Sequence, residues 1–163
     1  MTTVITTDQS PSCQQSVRLI IERAVHSQLH NYLQENNLLH GRQYGFRHNR
    51  STSSALLKFT DDILNNMEYG SVTGVVYLDQ RKAFDKVNHS ILLRKMKVTG
   101  VDDVSIKWFK SYLNNRTERT VLGNAISSSR IVKTGVPQGS VLGPLLFLGY
   151  INDLTERFNH NVA

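Results

Sequence analysis

The chain has 163 residues, of which 39% are hydrophobic and 20% are charged, a composition that suits one globular domain or a large part of one. Its 10 glycines and 3 prolines exclude collagen-like and low-complexity chains, and its single cysteine excludes an internal disulfide framework. A chain without disulfides is typical of a reducing compartment. The formal charge of +6 favours a polyanionic partner such as nucleic acid, and a merely soluble basic domain is the alternative.

The sequence predicts neither a membrane span nor a signal peptide. Its longest nearly apolar run covers residues 141–151, whereas a spanning helix needs about 20 residues. Residues 1–16 are rich in Thr, Gln and Ser and lack the apolar stretch of a signal peptide. We therefore expect a frayed or disordered segment at 1–16 and one domain at 17–163, without a membrane partner.

Apolar periodicity predicts five helices. The first covers residues 17–35, with Glu22 on its polar face. The second starts at a cap of Ser51 or Ser53 and ends at Gly70, and the third covers residues 88–98. Asp102 caps the fourth, and the fifth covers residues 141–158. The expected inward side chains are Val17, Ile20, Ile21, Val25, Leu29 and Leu33 of the first helix, Leu56, Phe59, Ile63 and Met67 of the second, and Ile106, Phe109 and Leu113 of the fourth.

Residues 72–78 (VTGVVYL) form the strongest predicted strand, because they are β-branched and aromatic and nearly apolar on both faces. Such a pattern is typical of a central strand covered on both sides. Residues 120–122 and 130–134 are expected to pair as a hairpin across Gly123 and Asn124. The resulting order of helices and strands indicates an α+β fold that is helix-rich, with a short antiparallel sheet.

Three aspartates and one aromatic residue could carry chemistry. Asp79 ends the predicted strand, where a carboxylate can meet a divalent metal, an ion-pair partner or solvent. Asp85 reads as a turn or helix-cap residue, and Asp153 reads as a polar-face residue of the last helix. Phe84 reads as a core residue. The six histidines lack the spacing of zinc ligands.

Two loops could approach a ligand. Residues 135–140 (GVPQGS) place two glycines around Pro137 and Gln138 just before a helix, where backbone N–H groups favour negative charge. An ordinary turn with a Ser140 cap is the alternative. Arg47 and Arg50 lie in a second loop and can bind phosphate bidentately, unless that loop is simply solvated.

Together these blocks resemble the reverse transcriptase domain of non-LTR (LINE-type) retrotransposons. The blocks occur in the family's order and cover most of residues 17–154. They are ERAVH (22–26), QYGFR (43–47) with RST (50–52), motif A as YLDQRKAFDKV (77–87), and motif B as GVPQGSVLGPLLF (135–147) followed by YINDL (150–154). The resemblance implies the fingers and partial palm of a right-hand polymerase.

The resemblance also implies roles for individual residues. Asp79 matches the motif A aspartate that binds catalytic metal, and the carbonyl of Gln80 lies beside it. Phe84 matches the aromatic steric gate beneath the incoming sugar. The remaining matches are Gln138 and Gly139 beside the incoming nucleotide and template, and Arg47, with Arg50 nearby, as contacts to nucleic acid or phosphate.

The implied reaction is RNA-directed DNA synthesis, a nucleotidyl transfer. A primer 3′-hydroxyl attacks the α-phosphate of a dNTP, and two Mg²⁺ or Mn²⁺ ions clamp the attacking and leaving oxygens. The implied partners are an RNA template, a DNA primer and a dNTP. The family's work implies an intracellular location, nuclear or cytoplasmic, although the sequence contains no localisation signal.

Two departures from the family pattern bear on activity. The Ala-Asp-Asp block of motif C does not occur in these residues, and Gln9 occupies the place of an upstream arginine. We therefore expect a fragment that does not hold the metals or polymerise DNA alone, with the rest of the palm and the thumb supplied elsewhere or absent. The alternatives are a non-catalytic nucleic-acid-binding remnant and a decayed reading frame without selected function.

Overall fold

The computed structural model describes the backbone of residues 4–5, 12–114 and 116–154, and the side chains within 16–114 and 116–154. Most of the segment expected to fray, residues 1–16, lies outside these ranges. The described residues form a helix-rich fold with a small antiparallel sheet, as the sequence predicts. The helices are α1 (Ser12–Glu35), α2 (Thr52–Glu68), α3 (His89–Val98), α4 (Asp103–Leu113) and α5 (Gly143–Ile151), and the strands are β1 (Val4–Ile5), β2 (Thr117–Leu122), β3 (Ala125–Ile126) and β4 (Arg130–Ile131).

Side-chain caps start three of the helices, because the first N–H groups of a helix have no partner within it. Ser51 begins α2 with a capping box, in which its hydroxyl accepts from Ser54 N at 3.1 Å. Asn88 begins α3, and Asp102 begins α4 by accepting from two backbone N–H groups at 2.9 and 3.0 Å. These three caps confirm the starts predicted from the sequence.

Strand β2 is the centre of the sheet and pairs antiparallel with β1, β3 and β4. The predicted turn is confirmed, with Gly123 at φ +57°. The predicted pairing is wrong, because residues 121–122 pair with 125–126, and residues 130–131 pair with 117–118. Val121 pairs with Ile126, and Glu118 pairs with Arg130. The chain after the turn therefore has one more residue between these two pairs than β2 has, which indicates a β-bulge. At this bulge the Ser127 hydroxyl accepts from Thr120 N at 2.9 Å.

Helix α5 forms the centre of the hydrophobic core. Its sequence, GPLLFLGYI, has no charged residue on any side, so it must be covered all round. The second half of α1, together with α3 and α4, supplies the cover. The buried side chains of this core are Leu29, Leu33, Leu39, Val87, Leu92, Met96, Phe109, Leu113, Val136, Leu142, Leu145, Leu146, Phe147 and Leu148.

Residues 71–80 contain no strand, so the prediction of a covered strand at 72–78 is wrong for this structure. Val72 is 99% exposed and Tyr77 is 83% exposed. The physical reason is that no other described strand lies beside this segment, and an extended chain needs a hydrogen-bonded neighbour to form a ladder. The segment instead contacts α2, where the rings of Tyr77 and Phe59 lie 6.3 Å apart.

Helix α1 departs from the prediction in its start and in its inward face. It begins at Ser12, and its first half exposes Val17, Ile20 and Ile21. Glu22, expected on the polar face, is only 4% exposed. This burial is possible because its two carboxylate oxygens accept from Arg18 Nε and from Val141 N, each at 3.1 Å.

Two further predictions are wrong, one about the burial of α2 and one about the length of α5. Helix α2 has no fully buried residue, and Leu56 and Met67 are exposed because no described element covers them. Helix α5 ends at Ile151, well before the predicted end at residue 158, and residues 155–158 lie outside the described ranges. Among the residues described, no helix has the length and apolarity that a membrane span requires.

Replacing Leu145 by Ala is expected to lower the free energy of unfolding by about 2–5 kcal/mol, because it removes buried methyl groups and leaves a cavity under α5. Urea denaturation of the two proteins measures the difference. The control is Leu57→Ala, since Leu57 is 73% exposed on α2 and its truncation should cost less than about 0.5 kcal/mol. Equal losses for both variants would contradict the central position of α5.

The α4 cap predicts a pH dependence of stability. The Ser105 hydroxyl and backbone N–H groups donate to Asp102 and hold the pKa of its carboxyl below the usual range. The cap therefore stabilises the fold above the unfolded pKa of about 4, and this contribution is lost as pH falls through the lower folded pKa. Wild type should exceed Asp102→Asn in stability at pH 7, with the difference narrowing below about pH 4. Unfolding curves at several pH values test this, and a difference that widens in acid would refute it.

Candidate functional site

The motif A turn, which is the 3-10 turn Phe84–Lys86, is hydrogen-bonded to the loop that begins motif B, residues 134–140. Gly135 N donates to Val87 O at 2.8 Å, and Val136 N donates to Phe84 O at 2.9 Å. The Thr134 hydroxyl adds a third bond to the carbonyl of Asp85 at 3.0 Å. Two segments nearly fifty residues apart in the sequence are thereby held in one register, which we call the A–B junction.

Gly135 is required at the A–B junction for two reasons. Its φ of +94° lies in a region that residues with a side chain rarely adopt. A Cβ at this position would also lie 2.9 Å from the Cα and carbonyl oxygen of Asp85. The first glycine of the GVPQGS block thus allows the two backbones to approach.

Asp85 and Gln138 join the same two segments through their side chains. Gln138 Nε2 donates to Asp85 Oδ1 at 2.8 Å, and the carboxylate can only accept, which sets the orientation of the amide. The interpretation of Asp85 as a turn residue is correct in position and incomplete in role, because its side chain orients Gln138. No hydrogen bond within the described part of the chain uses the Oε1 atom of Gln138, which can accept one.

Three phenylalanines bring the family's blocks together. The ring of Phe84, in motif A, stacks on Phe147 of α5 with centroids 4.6 Å apart. Phe46, from the QYGFR block, meets Phe84 edge-on at 5.8 Å. Phe46 has a φ of +57°, a strained conformation for an aromatic residue. Phe84 is half-buried and packs against the core without being a fully buried part of it, and its ring is restrained on two sides.

Arg47 and Arg50 lie in a loop of residues 38–50, which we call the basic loop. Arg47 Nη1 donates to His40 O at 3.0 Å, and Arg50 Nη1 donates to Gly41 O at 2.7 Å. Burial and the nearby charge of Arg50 lower the pKa of Arg47 from its ordinary value. The Nε of Arg47 is buried without a hydrogen-bond acceptor among the described residues. The two guanidinium groups therefore hold the loop and keep further N–H donors for another partner.

Asp79 and Gln80 lie in the exposed segment 71–80, ahead of the motif A turn. No hydrogen bond or ion pair within the described ranges joins Asp79 to Asp85, Gln138 or Arg47. Gly139, at φ +76°, has no atom within 4 Å of the place of a Cβ, so its backbone is open to approach. The structure thus brings together Phe84, Gln138 and the basic loop, and leaves Asp79 apart from them.

Sequence reasoning missed two polar side chains that support the A–B junction. His89 Nε2 lies 2.8 Å from Gly135 O and carries the donated proton, because the carbonyl can only accept. Glu22 binds the Val141 N–H just after the motif B loop. Neither residue has a sequence signal, since His89 follows an ordinary helix cap and Glu22 falls on the polar side of the helical pattern.

Replacing Gly135 by Ala is expected to lower the free energy of unfolding by about 2 kcal/mol or more, from the positive φ and from the clash with Asp85. Gly74→Ala is the matched control, because a Cβ there meets nothing within 4 Å and φ is not in the left-handed region. Chemical denaturation compares both variants with wild type. A Gly135→Ala protein as stable as Gly74→Ala would show that the two backbones do not pair closely.

The chain matches one protein-family model over nearly its whole length. Residues 8–162 match the family described as reverse transcriptase (RNA-dependent DNA polymerase). This match covers both sides of the A–B junction and the basic loop.

Individual relatives agree with the family model. The chain is 34% identical over 145 residues to a probable RNA-directed DNA polymerase from transposon BS of Drosophila melanogaster, which covers 85% of the chain and 15% of that protein. It is 33% identical over 141 residues to the corresponding protein of the X-element of the same fly, covering 86% of the chain and 15% of that protein. It is also 36% identical over 90 residues to a Pol polyprotein from the type-1 retrotransposable element R2 of Popillia japonica, covering 55% of the chain and 15% of that protein.

The chain spans about 15% of the length of these relatives. The agreement of the family model with these relatives confirms the resemblance stated from the motifs. The chain belongs to the reverse transcriptase family, and its relatives are the RNA-directed DNA polymerases of non-LTR retrotransposons.

Proposed function

We propose that these residues are the fingers and partial palm of an RNA-directed DNA polymerase and form the side of its active site that receives the template and the incoming dNTP. The A–B junction is the observation that carries this proposal, because it gathers Phe84, Gln138 and the open backbone of Gly139. A catalyst of this kind depends mainly on positioning its substrates, and a junction held by backbone hydrogen bonds positions these groups.

Phe84 suits the role of a steric gate. Phe147 stacks on its ring, and Phe46 restrains it from another direction, so the ring cannot readily move away from a bulkier sugar. Because close-packed aromatic contacts resist displacement, a ribose 2′-hydroxyl directed at this ring would meet a surface that does not yield. The restraint supports discrimination between dNTP and rNTP at this position.

Gln138 and Gly139 suit a contact with the nucleotide. Asp85 holds the amide of Gln138, so that its Oε1 is presented in one orientation. An oriented acceptor loses less conformational entropy on binding than a freely rotating side chain. Gly139 adds an exposed backbone without a side chain, which a base or sugar can approach closely.

Arg47 and Arg50 suit contacts with phosphate of the template, the primer or the nucleotide. Each guanidinium uses Nη1 on a loop carbonyl and keeps other donors, and no carboxylate of the described residues forms an ion pair with either group. Arginine donors match phosphate oxygens geometrically. Such contacts make binding depend on salt concentration.

Reverse transcriptases use divalent metal ions, but the two-metal arrangement does not fit the donors of this chain. Within the described residues, no three His, Cys, Asp or Glu side chains lie close enough to hold a metal ion. Asp79 is one exposed carboxylate, while Asp85 binds Gln138 and Asp153 binds Lys95. A catalytic role for Asp79 as a metal ligand therefore requires the carboxylates of the family's motif C, which these 163 residues do not contain.

The exposed segment 71–80 also favours the interpretation of these residues as part of a palm. Its apolar sequence has the pattern of a covered strand, yet it lies unpaired against α2. Unpaired apolar extended segments are prone to pair with other chains. We propose that it becomes a palm strand when the family's further palm strands lie beside it.

The second candidate function is nucleic-acid binding without catalysis. The single carboxylate at Asp79 and the two arginines of the basic loop favour it for these residues alone. The two candidates differ in one observable result, which is extension of a bound primer.

A purified chain should bind poly(rA)/oligo(dT) and should not extend the primer with dTTP in either Mg²⁺ or Mn²⁺. Fluorescence anisotropy at several salt concentrations measures binding, and gel electrophoresis measures extension. Replacing both Arg47 and Arg50 by Ala should reduce the slope of log affinity against log salt by about 0.7–0.9 for each phosphate that the variant no longer neutralises.

The matched control replaces Lys107 and Lys110 by Ala, which removes the same charge from exposed positions of α4. This control should keep the slope within the error of wild type. Primer extension that disappears in Asp79→Ala would show that the chain is catalytic without motif C. Salt-independent binding, or equal slopes for both double variants, would contradict the role of the basic loop.

A further inference from the structure

Asn152 connects the end of α5 to the start of the basic loop. Its side chain Nδ2 donates to Leu38 O at 2.7 Å, and its Oδ1 accepts from His40 N at 2.9 Å. These bonds join positions more than a hundred residues apart in the sequence. The carboxamide thereby forms the hydrogen bonds to residues 38–40 that the backbone of a neighbouring strand would form.

The two bonds need a side chain that both donates and accepts. A carboxamide has a donor group and an acceptor group in one plane, whereas a carboxylate only accepts. Leu39, between the two bonded peptide groups, is buried in the core, so the loop cannot move away without exposing it. Both bonds are partly buried, and loss of either partner would leave a polar backbone group unsatisfied.

A continuous path of hydrogen bonds leads from Asn152 to Arg47. The residue whose N–H binds Asn152 is His40, and the carbonyl of His40 accepts from Arg47 Nη1 at 3.0 Å. The next residue, Gly41, accepts from Arg50 Nη1 at 2.7 Å. Both arginines therefore bind to backbone that Asn152 holds in place.

The carboxyl end of α5, which precedes Asn152, is itself restrained. Lys95 of α3 donates to Tyr150 O at 2.6 Å and forms an ion pair with Asp153. Its ammonium group also lies 5.1 Å from the centre of the Tyr150 ring. The carboxyl end of α5 is thus held by α3 on one side, while Asn152 reaches the basic loop on the other.

We infer that Asn152 is a positioning residue for the basic loop, which sets where Arg47 and Arg50 present their free donors to phosphate. Asn152 acts through the peptide groups of residues 38–40. The link to phosphate rests on the proposed function of the two arginines, whereas the link to the loop does not. The two parts can therefore be tested separately.

The first test measures amide hydrogen exchange in the absence of nucleic acid. Asn152→Leu removes both hydrogen bonds at similar side-chain size, and the His40 amide and its neighbours in 38–50 should exchange about tenfold faster or more. Amides of α3 and the core of α5 should keep their protection. Asn65→Leu, on the exposed side of α2, is the control and should leave the basic loop unchanged. Unchanged exchange of His40 in Asn152→Leu would overturn the inference.

A second variant decides the matter if Asn152→Leu fails to fold. In Asn152→Asp, the ionised carboxylate accepts from His40 N but repels Leu38 O, whereas the protonated form can donate to Leu38 O as the amide does. Exchange of the loop relative to intrinsic rates should exceed that of wild type at pH 7 and should return to the wild-type value below about pH 4. A difference from wild type that does not change with pH would overturn the inference, because a merely structural defect has no such pH signature.

The third test links the loop to binding of poly(rA)/oligo(dT). Asn152→Leu should weaken binding by no more than the double variant Arg47→Ala/Arg50→Ala does, and the triple variant should be little weaker than that double variant, because Asn152 affects binding through these two arginines. Effects that multiply would overturn the link between Asn152 and Arg47. Faster loop exchange with unchanged binding in all three variants would support Asn152 as a positioning residue and would contradict the nucleic-acid role of Arg47.

Discussion

Helix α5 has no charged residue on any side, and this constraint organises the rest of the described chain. A helix that is apolar all round cannot lie at a surface, so α1, α3 and α4 must cover it. The positions of its two ends are then fixed. The motif B loop lies before its amino end, where Glu22 binds the N–H of Val141 just after the loop. Asn152 binds the basic loop after its carboxyl end. Burial of one helix thereby places the motif B loop and the basic loop.

The second organising feature is the pairing of two backbones at the A–B junction. Gly135 allows this approach because it has no Cβ, and the resulting hydrogen bonds bring Phe84 and Gln138 to the same side of the molecule. Phe84 lies where α5, the motif A turn and the basic loop meet, since it contacts both Phe147 and Phe46. The position of one ring therefore depends on three segments, and a change in any of them would alter the position of this ring.

The structure separates what is packed from what is exposed. The motif A turn and the motif B loop lie beside the hydrophobic core. In contrast, α2 and residues 71–80 contact each other and expose much of their apolar surface. Asp79 lies in this exposed part, ahead of the turn. The residues proposed for substrate positioning and the aspartate matched to a metal ligand thus lie on differently supported parts of the chain. The packed part carries the geometry proposed for nucleotide binding, and the backbone of the exposed part has no strand beside it among the described residues.

The sequence by itself determined the family through its motifs. It also determined the starts of the helices near Ser51, Asn88 and Asp102 and the turn around Gly123, because local patterns and hydrogen-bonding side chains produce these features over a few residues. It also singled out Phe84, Gln138 and the two arginines through their motifs. Only the tertiary structure decided that residues 72–78 form no strand and that Glu22 is buried while Val17 is exposed. It also decided that Asp85 and His89 hydrogen-bond the motif B loop and that Asn152 hydrogen-bonds the basic loop. The physical reason is that a strand needs a neighbouring backbone, and a polar side chain acquires its role from a partner distant in sequence.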